Sequence, residues 1–276
     1  MCPDLKGSFA VTVSPIDARL ASARAIATQA GDVALEYFRS FDTLTIDRKG
    51  HQDLVSEADR NVETLVRGLI REAFPDDSII GEEDAPEPGI SGFTWVIDPI
   101  DGTANFVRGI PAWTVVLAVT DATGIVAGIV HDPVHGEMCH ARTGGGAYCN
   151  DRKLGVTPGA KLTDGSVGIG FSARTATDGV VRAIEMLTEQ GGVFYRNASG
   201  ALMLSYVAQG KLLGYVESHM NAWDCLAGQL LIAEAGGRIE AQDTADMLRN
   251  GGRVVAGAPG VFADLVAIAD AAFSRG

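Results

Sequence analysis

The chain has 276 residues, 46% of them hydrophobic and 21% charged, with a formal charge of −13. That length buries a sizeable core without disulfide or metal staples, and the acid excess argues against nucleic acid or an anionic membrane as main partner, since both need clustered Lys and Arg. A phosphorylated substrate stays compatible if cations intervene, and with no long apolar run and no basic-apolar-small leader at Met1 the expected setting is the cytoplasm, with no membrane partner.

Ser14-Pro15 reads as an N-cap followed by proline in the first turn, opening a helix over 16–39 on which Leu20, Ala23, Ala27, Ala30, Ala34 and Tyr37 repeat at helical spacing. Lys49 and His51 then fall in a loop that reads either as exposed surface or as a mobile flap. Ser56 to Asp59 forms a capping box for a second helix, with Val62, Leu65, Val66, Leu69, Ile70 and Ala73 on one face and Pro75 as its stop. Asp59 therefore sits in a first turn.

From 78 to 156 the texture is that of strands (SIIGEE, TWVID, WTVVLAVT, GIVAGIVH, EMCHAR, GAYCN), divided by DATG, DPVHG and RTGGG. Short sequential turns predict an antiparallel meander. Beyond 160, strands near 166–171, 193–196, 212–217, 237–241 and 253–257 alternate with helices near 178–190, 200–209, 224–235 and 260–273, the pattern of an α/β half. The expected organisation is thus an α+β half over 1–160 and an α/β half over 161–276, packed as one body.

Cys2, Cys139, Cys149 and Cys225 contain no C-x-x-C pair and read as reduced thiols, although Cys139 and Cys149 can face each other across a hairpin. His131, His135 and His140 fit neither a helical zinc pair nor a finger, and their segment alternates as strands do.

The chemistry concentrates in WVIDPIDGTANF, residues 95–106. Trp95, Val96 and Ile97 anchor a strand that delivers Asp98 at its C-terminal end. Pro99 fixes its own φ and keeps Asp98 out of helical geometry, so the chain turns and Asp101 comes back toward Asp98. The two carboxylates and the Ile100 carbonyl then face one point, a hard-oxygen donor set suited to Mg²⁺; the alternative for DPID alone is an Asp-Pro turn capping a helix. Gly102-Thr103 begins a short helix whose unpaired N–H groups suit an anion. Glu82, after Ile79-Ile80-Gly81, and Asp224, opening a helix after Trp223, are two further acids, each of which alone reads as solvated surface or as a helix-dipole partner.

Together, DLVSEAD (53–59), GEE (81–83), WVIDPIDGTANF and WDCLAGQLLIAEAGG (223–237) resemble the inositol monophosphatase family, and the likeness runs over nearly the whole chain, including the hairpin at 131–150. The resemblance implies a layered αβαβα sandwich and a homodimer. It also implies lithium-sensitive, Mg²⁺-dependent hydrolysis with two metals, and a third, weaker one beneath the flap. By position, Glu82, Asp98, the Ile100 carbonyl and Asp101 match one metal site, and Asp98, Asp101 and Asp224 the second. Gly102 and Thr103 match the phosphate-holding amides; Asp59 matches the acid that, with the threonine hydroxyl, orients water; and Glu217 matches the position that binds substrate hydroxyls. This agrees with what a phosphate monoester demands: an in-line nucleophile, neutralised phosphoryl oxygens and help for the leaving oxygen.

The sequence departs from the pattern on the substrate side. Ala198-Ser199-Gly200 replaces the expected glycine-bearing run, so Ser199 and Gly200 are expected to meet substrate; Met220 and Asn221 flank the approach to Asp224, and Leu226 stands where a small residue is usual. Inositol monophosphate is the first expectation for substrate. Histidinol phosphate, fructose 1,6-bisphosphate and a 3′-phosphonucleotide are alternatives, and a non-catalytic regulatory binding protein on the same fold is the alternative from another class.

Overall fold

The computed structural model describes residues 14–43, 45–50, 53–172 and 176–273. Helix α1 is Pro15–Arg39, and its first turn is closed by the Ser14 hydroxyl oxygen, which accepts from the Asp17 amide at 3.1 Å. The small face foreseen for it is buried at Ala23, Ala27, Ala30 and Ala34. Where a loop was expected the chain forms a hairpin, β1 (Ile46–Gly50) with β2 (Asp53–Ser56). Lys49 falls in β1, whereas His51, its companion in the expected flap, lies outside the described residues, as does Cys2. Helix α2, Glu57–Ala73, has the foreseen cap: Ser56 Oγ accepts from the Ala58 amide at 3.2 Å, and Asp59 Oδ2 accepts from the Ser56 amide at 2.8 Å. Its buried face holds Val62, Val66 and Ile70, but also the charged Glu63 and Arg67.

Next come β3 (Ser78–Gly81), β4 (Thr94–Asp101), the single turn α3 (Thr103–Phe106), and β5 (Thr114–Asp121), β6 (Gly124–Asp132), β7 (Glu137–Arg142), β8 (Gly146–Cys149) and β9 (Arg152–Lys153). These strands make one seven-stranded sheet in sequence order. The expected meander holds from β4 onward, but β3 runs parallel to β4, with Gly81 opposite Ile97, because the chain between them crosses back along the edge instead of turning at once. Cys139 and Cys149 are direct cross-strand neighbours and both are free thiols.

The remaining elements are β10 (Ser166–Ile169), α4 (Thr177–Glu189), β11 (Val193–Tyr195), α5 (Gly200–Ala208), β12 (Gly214–Met220), α6 (Ala222–Glu234), β13 (Arg238–Ile239), α7 (Thr244–Asn250), β14 (Gly252–Gly257) and α8 (Phe262–Phe273). The strands form a second sheet, ordered β11-β10-β12-β14-β13. Helix α7 was not foreseen; it is short, and its cap, Asp243 accepting from the Asp246 amide, sits in a polar stretch without helical periodicity.

Layers follow from which faces are apolar. Helices α1 and α2 cover one face of the large sheet around Trp95, Ile97, Leu117 and Ile129. On the other face α5 and α6, mostly apolar and enclosed on nearly every side, lie between the two sheets around Val116, Leu204, Leu226 and Leu231. Helices α4 and α8 cover the outer face of the small sheet around Val167, Leu187, Val255 and Leu265. The result is the layered αβαβα sandwich. Helices with few polar residues outside the site are what a middle layer requires.

Candidate active site

A regular strand points residues three apart to opposite faces, so Asp98 and Asp101 should diverge. They converge because β4 carries a bulge: Asp98 pairs with Val116 and Asp101 with Thr114, three residues against two. One extra residue at Pro99-Ile100 reverses the alternation and re-aims the second carboxylate. The Asp98 Oδ1 oxygen accepts from the Ile100 amide at 3.0 Å, which fixes the turn from inside. Gly102 follows at φ 99°, a conformation that suits glycine, and a side chain there would lie 2.9 Å from the Ala112 carbonyl oxygen.

Three helix N-termini are aimed at this bulge. In the first turn of α2, Asp59 Oδ1 accepts from the Thr103 hydroxyl at 3.0 Å, and its Oδ2 accepts from the Ser56 hydroxyl at 2.5 Å. At the start of α5, Asp101 Oδ2 accepts from the Ser199 hydroxyl at 2.5 Å and from the Ala201 amide at 2.9 Å, while Oδ1 accepts from the Gly200 amide at 3.3 Å. At the start of α6, Asp224 Oδ2 accepts from the Asn221 amide at 3.0 Å. Positive helix ends partly offset gathered acids. The fourth contribution is Glu82, which follows β3 and donates its amide to the Ile97 carbonyl at 3.2 Å, beside Asp98 in the sheet.

Oxygens of Asp98, Asp101 and Asp224 all lie within 4.8 Å of one another. Burial pushes the Asp98 carboxyl well above the usual carboxylate range, and the charges of Glu82, Asp101, Asp224 and Asp59 push it further the same way. Asp101 and Asp59 are raised by burial too, against the pull of their hydrogen bonds. So many buried acids gathered at one point fit a divalent ion, and an all-oxygen donor set fits a hard one. Of the residues expected here, the structure brings together Asp59, Glu82, Asp98, Ile100, Asp101, Thr103 and Asp224. The Thr103 hydroxyl touches both the Asp59 carboxylate and, at 3.1 Å, the Ile100 carbonyl.

A cleft opens beside the acids, lined by Asp101, Ala198, Gly200, Glu217, Met220 and Asp224 among others. Gly200 faces it, but Ser199 is fully buried and its hydroxyl is spent on Asp101. Glu217 is 6% exposed, and its carboxylate oxygen Oε2 accepts from the Tyr215 hydroxyl at 2.5 Å. Burial raises its pKa to about 7, helped by Asp224 and Asp101 and opposed by Tyr215 and Arg196. Tyr215 and Arg196 also line the cleft, and neither was singled out from sequence. Tyr215 was within reach, because alternation on β12 puts it on the same side as Glu217. Arg196, which donates to the Phe171 carbonyl at 3.1 Å, had no sequence signal beyond its charge. The three histidines do not converge: His131 meets the Glu137 carbonyl, His135 the Asp132 carboxylate and His140 the Asn150 carbonyl.

Comparison with known proteins gives the family. The inositol monophosphatase family matches residues 17–271. An inositol-1-monophosphatase of Mesorhizobium japonicum is 37% identical over 235 residues, covering 84% of this chain and 88% of that protein. A protein of Xylella fastidiosa named Nus factor SuhB is 34% identical over 215 residues, covering 77% of this chain and 78% of that one. Among solved structures, the extragenic suppressor protein suhB of Bartonella henselae superposes with a TM-score of 0.85 at 29% identity, covering 94% of this chain and 99% of that one. Matched along nearly its whole length in sequence and in fold, the chain belongs to the inositol monophosphatase family.

Proposed function

We propose that this protein hydrolyses a small phosphate monoester with Mg²⁺, and that inositol monophosphate is its substrate. The observation that carries the reading is the convergence of Asp98, Asp101 and Asp224 on one point beside the Asp59–Thr103 pair. Glu82, Asp98, the Ile100 carbonyl and Asp101 would hold one Mg²⁺, and Asp98, Asp101 and Asp224 would hold a second. When bound, the ions neutralise phosphoryl charge and ease loss of a proton from water. Thr103, held between Asp59 and the Ile100 carbonyl, orients that water, and Asp59 accepts the proton passed through the hydroxyl. The amides of Gly102 and Thr103 hold the phosphate. Gly200 and Glu217 meet the alcohol, with Ser199 acting through the Asp101 carboxylate it bonds.

Because acids from both halves of the chain, 1–160 and 161–276, make one site, the reading requires those halves to act as one body. No helix among the described residues is long and apolar enough to cross a membrane, and a cytoplasmic homodimer without nucleic-acid or membrane partners completes the proposal. A second reading, a regulatory binding protein on the same scaffold, is favoured by relatives named Nus factor SuhB. It is weakened by the full set of acids in this chain.

The deciding experiment is phosphate release with Mg²⁺ from inositol 1-phosphate, histidinol phosphate, fructose 1,6-bisphosphate and 3′-phosphoadenosine 5′-phosphate. Turnover led by inositol 1-phosphate is expected. Preference for histidinol phosphate would refute the substrate, and no turnover of any compound would leave the binding-protein reading standing.

A further inference from the structure

Hydrophobic patterning gives no reason for α2 to bury two opposite charges, yet Glu63 is 0% and Arg67 1% exposed. They follow Asp59 at i+4 and i+8, so the three form one stripe along the helix. Asp59 lies at the site. The other two face the loop that begins at Glu82.

That loop has little secondary structure, so its backbone groups need partners from elsewhere. Glu63 accepts from the Glu83 amide at 2.9 Å and from the Asp84 amide at 3.1 Å. Arg67 donates to the Asp84 carbonyl at 3.0 Å, the Ala85 carbonyl at 3.2 Å and the Glu87 carboxylate at 2.8 Å, and its Nε binds Glu63 at 2.8 Å. Both donors and acceptors of the turn after Glu82 are therefore met by one ion pair. Gly81 makes room for it: a Cβ there would lie 2.2 Å from a Glu63 oxygen. Downstream, Glu87 and Ile79 exchange two backbone bonds of 2.8 Å, which closes the loop.

A buried ion pair is seldom more stabilising than well-packed apolar residues of similar volume. An apolar pair would, however, leave the turn's amides and carbonyls unpaired. We propose that Glu63 and Arg67 are positioning residues which, by gripping the backbone of 83–85, set the Glu82 carboxylate for metal binding and lock it to the helix that carries Asp59. This inference rests on the proposed role of Glu82 as a metal ligand.

The test measures Mg²⁺ binding to the whole protein by calorimetry, and Mn²⁺ binding by paramagnetic resonance, for Arg67→Lys, Glu63→Gln, Glu82→Ala and Arg19→Lys. Lysine keeps the charge but cannot span the acceptors Arg67 joins, and glutamine offers one acceptor oxygen in place of two. Both variants should bind Mg²⁺ about 10- to 100-fold more weakly, the range seen when groups supporting a metal ligand are lost. The Mg²⁺ needed for half-maximal phosphate release should rise with it, more than KM for substrate does. Arg19→Lys loosens another buried pair, Arg19 with Asp77 at 2.6 and 2.8 Å; it should lower the melting temperature and leave Mg²⁺ binding unchanged. Wild-type Mg²⁺ binding in cooperatively folded Arg67→Lys and Glu63→Gln, with binding weakened in Glu82→Ala, would overturn the clamp. Unchanged binding in Glu82→Ala itself would instead overturn the ligand assignment beneath it.

Discussion

Replacing Glu217 by glutamine isolates the cost of holding a carboxyl at the base of the cleft. Its pKa rises from an ordinary 4.5 to about 7. Between those values the native state keeps a proton that the unfolded chain has lost, so this group makes stability fall as pH rises through the window and level off above it. At about 1.4 kcal/mol per pH unit the whole effect approaches roughly 3 kcal/mol, as a ceiling. Glutamine keeps an oxygen to accept from the Tyr215 hydroxyl, which in the native protein lies 2.5 Å from Glu217, but it cannot ionise. The Glu217→Gln protein should therefore be close to wild type at pH 5 and more stable at pH 8, with a melting temperature higher on the order of 5 °C. Melts are recorded in EDTA at both pH values, and the difference between the two proteins is read, so that the titration of acids that do not bear on Glu217, Asp98 and Asp59 among them, drops out. A difference that stays the same from pH 5 to pH 8 would show that Glu217 is not the titrating group and refute the reasoning.

Two further substitutions probe the acids. Asp98→Asn keeps an acceptor for the Ile100 amide but removes the carboxylate that burial and four neighbouring acids oppose. It should raise the melting temperature in EDTA, abolish the further rise that Mg²⁺ gives the native protein, and cut phosphate release at least about 10²-fold; near-normal turnover would refute the metal assignment. Thr103→Val keeps the shape of the side chain but loses the bonds to Asp59 and the Ile100 carbonyl. It should lower kcat by about 10²–10⁴-fold with little change in Mg²⁺ affinity, measured by steady-state phosphate release and calorimetry.

The legible parts of the site were those built by local chemistry. The cap at Ser56 placed Asp59 in a first turn, and it holds because it depends on groups within three residues; where Asp-Pro announced a turn at 98–101, the strand instead continues through Asp101 with a bulge, and the two acids still converge. The seven-stranded order of the large sheet was mostly readable for the same reason: short turns leave adjacent strands no other neighbour. Distance in sequence marks where reading stopped. The parallel β3–β4 pair depends on how the chain between them folds back, and the flap region proved to be a hairpin.

Sequence by itself determined which residue types carry the chemistry, where helices begin, and that acids crowd a proline-shaped turn. Only the tertiary structure decided what those acids and their neighbours are bonded to. A bulge, in place of the expected turn, is what brings Asp101 beside Asp98, Ser199 turns inward across 98 residues of chain to reach Asp101, and Glu63 with Arg67 turns away from solvent to hold the Glu82 loop. Charge and hydrogen-bonding capacity are properties of a residue, but whether water or another segment satisfies them depends on burial, and burial is fixed only when the layers close.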